Sequence, residues 1–225
     1  MAPRKVPLVA GEIYHVFNRG VEHRPIFLTK RDYRRFLKTI NYYRFVSTPL
    51  RLFRFYQLSA ERQKEILDSL VRANRKHIGI IAFCLIPNHF HLLLKQLSES
   101  GISLFLSQLQ NSYTKFFNLK YNRVGPLFQG QFKAVRIETD SQLAHVSRYL
   151  HLNPYSSFVI KDREELEAYT WSSLNDYLGF EPQNPFIENK VIMGLFGSTE
   201  NYRNFVYNNA DYQRSLENIK HLLLD

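Results

Sequence analysis

At 225 residues the chain suits one compact domain with an appendage, because this length buries a large core without disulfide or metal staples. With 44% hydrophobic residues, 18 Phe and 14 Tyr it lies far from the composition of disordered chains, and its single cysteine, Cys84, excludes an intrachain disulfide and suits a reducing cytoplasm. The net charge of +10 gathers at the front, where residues 1–56 hold 12 Lys/Arg against Glu12, Glu22 and Asp32, while residues 157–225 hold 6 bases and 11 acids. A polyanion should therefore meet the first part of the chain and avoid the last, which points to nucleic acid, although charge alone does not separate DNA from RNA or lipid headgroups.

In chain order, 11–20 alternates through Ile13, His15 and Phe17 and stops at Asn-Arg-Gly, which reads as a strand. A helix follows, capped by Thr29, with Tyr33, Phe36, Leu37 and Ile40 on one face and Arg31, Arg34, Arg35 and Lys38 outward. Pro49 interrupts it, and a second helical piece opens at Ser59 within 57–76. Residues 77–95 are two apolar runs around Pro87-Asn88, a buried hairpin with Cys84 in its core. The next helix starts at Ser103 or Ser107 and ends near Asn122, 131–137 is a strand, and 140–153 is a helix capped by Asp140 and stopped by Pro154. Strand, helix, strand, strand, helix, strand, then a last helix is the order of an α+β, ferredoxin-like βαββαβ antiparallel sheet with helices on one or both faces. Beyond residue 157 the pattern weakens, 181–185 reads as a linker, and a short helical tail ends the chain. No run of about 18 apolar residues occurs and the basic N-terminus lacks a signal-peptide core, so neither a membrane span nor secretion is expected.

His89 and His91 stand two apart on a strand, so both leave one face, close enough to share a divalent ion, while Phe90 points to the other. By itself a His-x-His pair is more often a pair of hydrogen-bonded core histidines. Tyr149 and Asn153 lie four apart on one helix face, with His145 a turn back, so a nucleophile and an amide ligand suited to Mg²⁺ or Mn²⁺ stand side by side. Spacing alone does not single out one tyrosine among 14, and Tyr149 as a packing residue with Asn153 as a helix end is the plainer reading.

Four strings narrow these choices: FNRGVEHRPIF at 17–27, IPNHFHLLL at 86–94, NSYTKFFNLKYNRVGPLFQGQFKAVRI at 111–137 and LAHVSRYLHLNP at 143–154. In content and order they resemble the REP-associated tyrosine transposases, of the single-tyrosine HUH class. The resemblance implies a metal-dependent DNA strand transferase whose HUH pair is His89 and His91 around Phe90, whose nucleophile is Tyr149 and whose further metal ligand is Asn153. It implies cleavage and rejoining of single-stranded DNA next to hairpins such as REP-like palindromes, through a 5′-phosphotyrosine, with Mg²⁺ or Mn²⁺, at the bacterial nucleoid in the cytoplasm, by a monomer or a homodimer. Charge then nominates Arg19, Arg24, Arg31, Arg34, Arg35, Lys38, Lys133 and Arg136 as phosphate contacts, and Tyr42, Phe53, Phe55 or Tyr56 as base-stacking candidates among mostly core aromatics. The transposase domain is expected over 1–156, with a helical insertion at about 47–76, followed by an acidic extension over 157–225. A catalytically silent or domesticated DNA-binding regulator of the same fold is the chief alternative. A histidine-triad hydrolase lacks its third histidine here, and a metal amidohydrolase needs a far longer barrel.

Overall fold

The computed structural model describes residues 7–181 and 183–223, with side chains as far as residue 216. The expected hairpin is formed by β2 (Ile78–Ile86) and β3 (His89–Gln96), which turn at Pro87-Asn88 and pair antiparallel from Ile86 with His89 to Ile78 with Gln96. Against the other edge of β3 lies β1 (Ile13–Arg19), and β4 (Lys133–Ile137) lies against β1. The order is β2-β3-β1-β4 with every pairing antiparallel, the split βαβ arrangement expected from the element order.

The two crossover helices, α1 (Lys30–Tyr43) and α4 (Gly101–Lys120), cover one face of the sheet. There Val16, Phe83, Phe90 and Leu92 meet Phe36, Ile40, Phe105 and Tyr113 in a first core. The other face is covered by α5 (Asp140–Ser156) and the residues after it, where Ile81, Cys84 and Leu93 pack with Leu143, Leu150, Tyr177 and Tyr202 in a second core. All of β2 is buried because helices lie on both sides of it, and a strand in that position needs apolar residues on each face instead of alternation.

Two helix starts differ from the periodicity reading. The α4 helix begins before Ser103 and Ser107, at Gly101, where the His77 carbonyl lies so close that any Cβ would collide with it. Its first-turn donor, the Ile102 N–H, goes to the Gln96 side chain at 3.2 Å, so the cap is borrowed from β3 and leaves no local signature. For α5 the cap is Thr139, whose hydroxyl accepts from the Gln142 N–H at 3.1 Å, with Asp140 in the first turn. Nor does Pro154 stop α5, which runs on to Ser156. A proline inside a helix costs about 3 kcal/mol. Here burial of Leu150, Leu152 and Tyr155 and the Ser157 N–H bond to the Asn153 carbonyl at 2.9 Å carry the turn past it.

Residues 157–223 hold more structure than a short tail: two 3-10 turns, Arg163–Leu166 and Leu174–Asp176, then α6 (Lys190–Phe196), α7 (Thr199–Tyr207) and α8 (Ala210–Leu223). This part covers the edge of β2. The Leu85 N–H donates to the Trp171 carbonyl at 2.9 Å and the Ser173 N–H to that of Phe83 at 3.0 Å, so the edge does not offer unpaired groups there. Within the expected linker, Gln183 and Asn184 are tied down: Asp176 accepts from their N–H groups at 2.9 and 3.0 Å, and Phe186 is buried just beyond. The 47–76 segment forms α2 (Leu52–Phe55) and α3 (Ala60–Ala73), the latter capped by Ser59 as expected. Among the described residues no helix is long and apolar enough to cross a membrane.

Candidate active site

Strand β3 sends alternate side chains to opposite faces, so Phe90 enters the first core with its ring 5.2 Å from that of Phe36, while His89 and His91 emerge on the second face with rings 4.8 Å apart. Register then adds a third imidazole. Phe17 of β1 stands opposite His91 and His15 opposite Leu93, which puts His15 on the same face, its Nε2 2.9 Å from His91 Nδ1. Helix α5 crosses here and brings Tyr149 over the group, its ring centroid 5.5 Å from that of His91 and 6.1 Å from that of His15, edge-on to both. His89, His91 and Tyr149 line a cleft of about 740 Å³ whose wall also includes Phe17, Arg19, His23 and Lys133.

The imidazoles are held neutral at pH 7. Burial pushes His15 down to about 4, and His89 also to about 4 with the Arg19 guanidinium adding to it. His91 is 5% exposed and is driven well below its ordinary value by burial and by its two imidazole neighbours. Neutral imidazole is the form that binds a metal ion. His91 Nε2 is buried with no hydrogen-bond partner among the described residues, and such an orphan costs on the order of 1–3 kcal/mol. The His89 ring is oriented by Asn88 Oδ1, 2.8 Å from its Nδ1, which leaves Nε2 as the nitrogen to offer. A divalent cation fits this donor pair. Among the described residues no three His, Cys, Asp or Glu side chains gather as a metal cage.

The other expected site residues divide. Asn153 follows Tyr149 by one turn but is 2% exposed and does not line the cleft; its Oδ1 accepts a long hydrogen bond from Ser157 Oγ at 3.5 Å. His145 is exposed and bonded to Arg148 at 2.8 Å, away from the imidazoles. Of the cations, Arg19 and Lys133 line the cleft, Lys133 lying opposite Phe17 in the sheet. Arg31, Arg34 and Lys38 are exposed on α1, which packs the opposite face. Arg35 is not outward: its guanidinium lies 4.3 Å over the Tyr56 ring and 5.2 Å from that of Phe116, a cation-π seat between helices. Arg136 pairs with Glu12 at 2.9 Å, and Arg24 with Glu22 at 2.6 Å. Of the aromatics considered for stacking, Tyr42 and Phe55 are core and Phe53 is 63% exposed.

Two residues escaped the sequence reading as parts of the site: His15, bonded to His91, and His23, in the cleft wall. His15 lies between Ile13 and Phe17 on one face of β1, and a histidine among apolar residues on a core strand is the signal that would have found it. His23 sits on a loop in which it and Glu22 both take left-handed backbone angles, φ 57 and 54, a strained arrangement typical of functional loops. The loop is pinned by the Gly20 N–H to the Asn88 carbonyl at 2.9 Å and the Val21 N–H to the Leu127 carbonyl at 3.0 Å. Gly20 is required because the Arg24 carbonyl folds back over it.

The family model described as "Transposase IS200 like" matches residues 37–153, more than half of the chain, and the chain belongs to that family. A solved structure described as a REP-associated tyrosine transposase bound to a REP hairpin has the same fold, with a TM-score of 0.53 and 14% identity over 82% of this chain and 90% of that one. A comparison with curated proteins finds no match.

Proposed function

We propose that this transposase-family chain cleaves and rejoins single-stranded DNA beside hairpins, with Tyr149 as the nucleophile. The observation that carries the reading is the Tyr149 ring 5.5 Å from that of His91, over a cleft that also holds Arg19 and Lys133. In this reaction the phenolic oxygen bonds to phosphorus, the bond from phosphorus to the 3′ oxygen breaks, and that oxygen takes a proton and leaves as a 3′-hydroxyl. The 5′-phosphate stays on the tyrosine, and attack by another 3′-hydroxyl reverses the steps, so the phosphodiester energy is kept without a nucleotide cofactor.

A phenol with an ordinary pKa near 10 is a weak nucleophile at pH 7 and needs positive charge around the phosphate it attacks. Arg19 and Lys133 supply part of it by binding non-bridging oxygens at the cleft wall. Mg²⁺ or Mn²⁺, held by His89 and His91, supplies Lewis-acid neutralisation of the scissile phosphate when bound. Asn153 completes the ligand set in this reading, its amide oxygen giving up the long Ser157 bond. The catalytic unit is 1–156, with 157–225 as an accessory layer packed on its helix. The solved relative's REP hairpin supports a folded palindrome as the partner.

Incubation of the purified protein and Mn²⁺ with a single-stranded hairpin DNA from the regions flanking its own gene should give a covalent adduct visible on a denaturing gel. Tyr149→Phe should bind the same DNA and give no adduct. An undiminished adduct in Tyr149→Phe, or mass-spectrometric linkage to another tyrosine, would remove the assignment.

A further inference from the structure

We propose that His15 is a positioning residue for the metal site: it accepts a hydrogen bond from Nδ1–H of His91 and thereby holds His91 in the tautomer whose Nε2 lone pair is free for a cation. The inference rests on the proposed reading of His89 and His91 as ligands and adds to it a residue outside the ligand pair.

Two neutral imidazoles 2.9 Å apart share one proton in one of two ways. In one, His91 donates from Nδ1 and keeps a bare lone pair on Nε2. In the other, His15 donates from Nε2, and the remaining proton of His91 sits on its own Nε2. That nitrogen is buried and faces no acceptor among the described residues, so the second arrangement strands an N–H donor. Orphaned buried N–H groups are rare because their desolvation is not recovered, whereas a lone pair in the same place is ready for a metal ion. The first arrangement therefore wins, with or without metal. Partners of this kind fix ring orientation and raise the basicity of a ligating histidine.

The surroundings make His15 fit for the task. Its ring is set by contacts with Phe17 at 5.0 Å and His91 at 5.1 Å between centroids, and the edge-on approach to Tyr149 ties the nucleophile to the same assembly. The pairing of β1 with β3 decides all of this, because a slip of one residue would send His15 into the opposite core.

The test has a metal-free arm and a metal arm. Long-range ¹H–¹⁵N spectra of the metal-free protein should show His91 protonated on Nδ1, and His15→Phe, which keeps a ring but removes the acceptor, should redistribute the proton between the two nitrogens. A parent His91 carrying its proton on Nε2 overturns the inference directly. By calorimetry His15→Phe should bind Mn²⁺ roughly 10–100-fold more weakly than the parent. His15→Gln, whose amide oxygen can accept, should recover most of that loss, and circular dichroism should report unchanged folding in both variants. Equal Mn²⁺ affinity in His15→Phe and the parent also overturns it. If Mn²⁺ binding survives His91→Ala undiminished, the ligand assignment fails instead, and the tautomer spectrum still decides the role of His15.

Discussion

Lys133 and Arg34 carry the same charge and are both exposed, yet they stand on opposite sides of the sheet, one in the wall of the imidazole cleft and one on the outer surface of α1. If single-stranded DNA is bound in the cleft, Lys133→Ala should weaken it several-fold and reduce the slope of log affinity against log salt by about 0.7, the share of one phosphate contact on a single strand. Arg34→Ala should leave both quantities near the parent values. Fluorescence anisotropy across a salt series reads the difference, and equal losses in the two variants would move the DNA path onto the helical face. Charge composition could not separate these residues, since it knows nothing of faces. The His89, Phe90 and His91 trio was legible because a strand alternates strictly, so two histidines two apart must share a face whatever else the fold does. His15 was hidden because its partner is 76 positions away and the β1–β3 register, not any local pattern, brings them together. Arg35 was misread because a guanidinium counted as polar can still lie flat on aromatic rings.

Among the elements, α1 shows how a local signal and a long-range contact reinforce one another. Asp32 is fully buried at the third helical position, where it accepts from the N–H groups of Leu28 and Thr29 at 2.9 and 2.8 Å, from Tyr121 Oη at 2.7 Å and from Lys120 Nζ at 2.6 Å. Burial alone would raise its carboxyl pKa, but the bonds from Lys120, Tyr121 and the two backbone donors outweigh it and hold the group below the ordinary 3.8. A depressed carboxyl favours the folded state above its unfolded value and loses that contribution as pH falls through the folded one. Urea unfolding should therefore find the parent losing stability below about pH 4, while Asp32→Ala, weaker by about 3 kcal/mol near pH 7, loses less over the same range. Parallel pH profiles for the two proteins would contradict the bonding described. Thr29 was legible as this cap in the sequence, and the structure adds Asp32 as its partner in a capping box. The starts of α4 and α5 were less legible, one capped from a neighbouring strand and the other by the residue before the expected one.

For the molecule as a whole, the second layer was the least legible part, and the reason is chemical. The helices after residue 157 present tyrosine, asparagine and serine where an aliphatic stripe would have announced burial, and they are held to the core by a hydrogen-bonded network. His151 on α5 is completely buried, its Nδ1 2.7 Å from Tyr202 Oη of α7 and its Nε2 2.9 Å from Ser173 Oγ, in the segment that bonds to the edge of β2. Burial pushes its pKa down to about 3, so it is neutral and offers one donor and one acceptor to the two hydroxyls. Tyr202 in turn donates to Ser147 Oγ at 3.0 Å, and the Gln213 side chain donates to the Tyr149 carbonyl at 3.2 Å, so the extension grips α5 at more than one point. His151→Leu keeps the volume but strips two buried hydroxyls of a partner, at about 1–3 kcal/mol in total, which for a domain of this size is a fall of roughly 2–12 °C in the unfolding midpoint. Tyr202→Phe removes one hydroxyl and should cost less. Hydrogen exchange should show the loss at α7 and at the β2 edge before the β1–β3 ladder. An unchanged midpoint in His151→Leu would mean that apolar packing alone fixes the extension to the sheet.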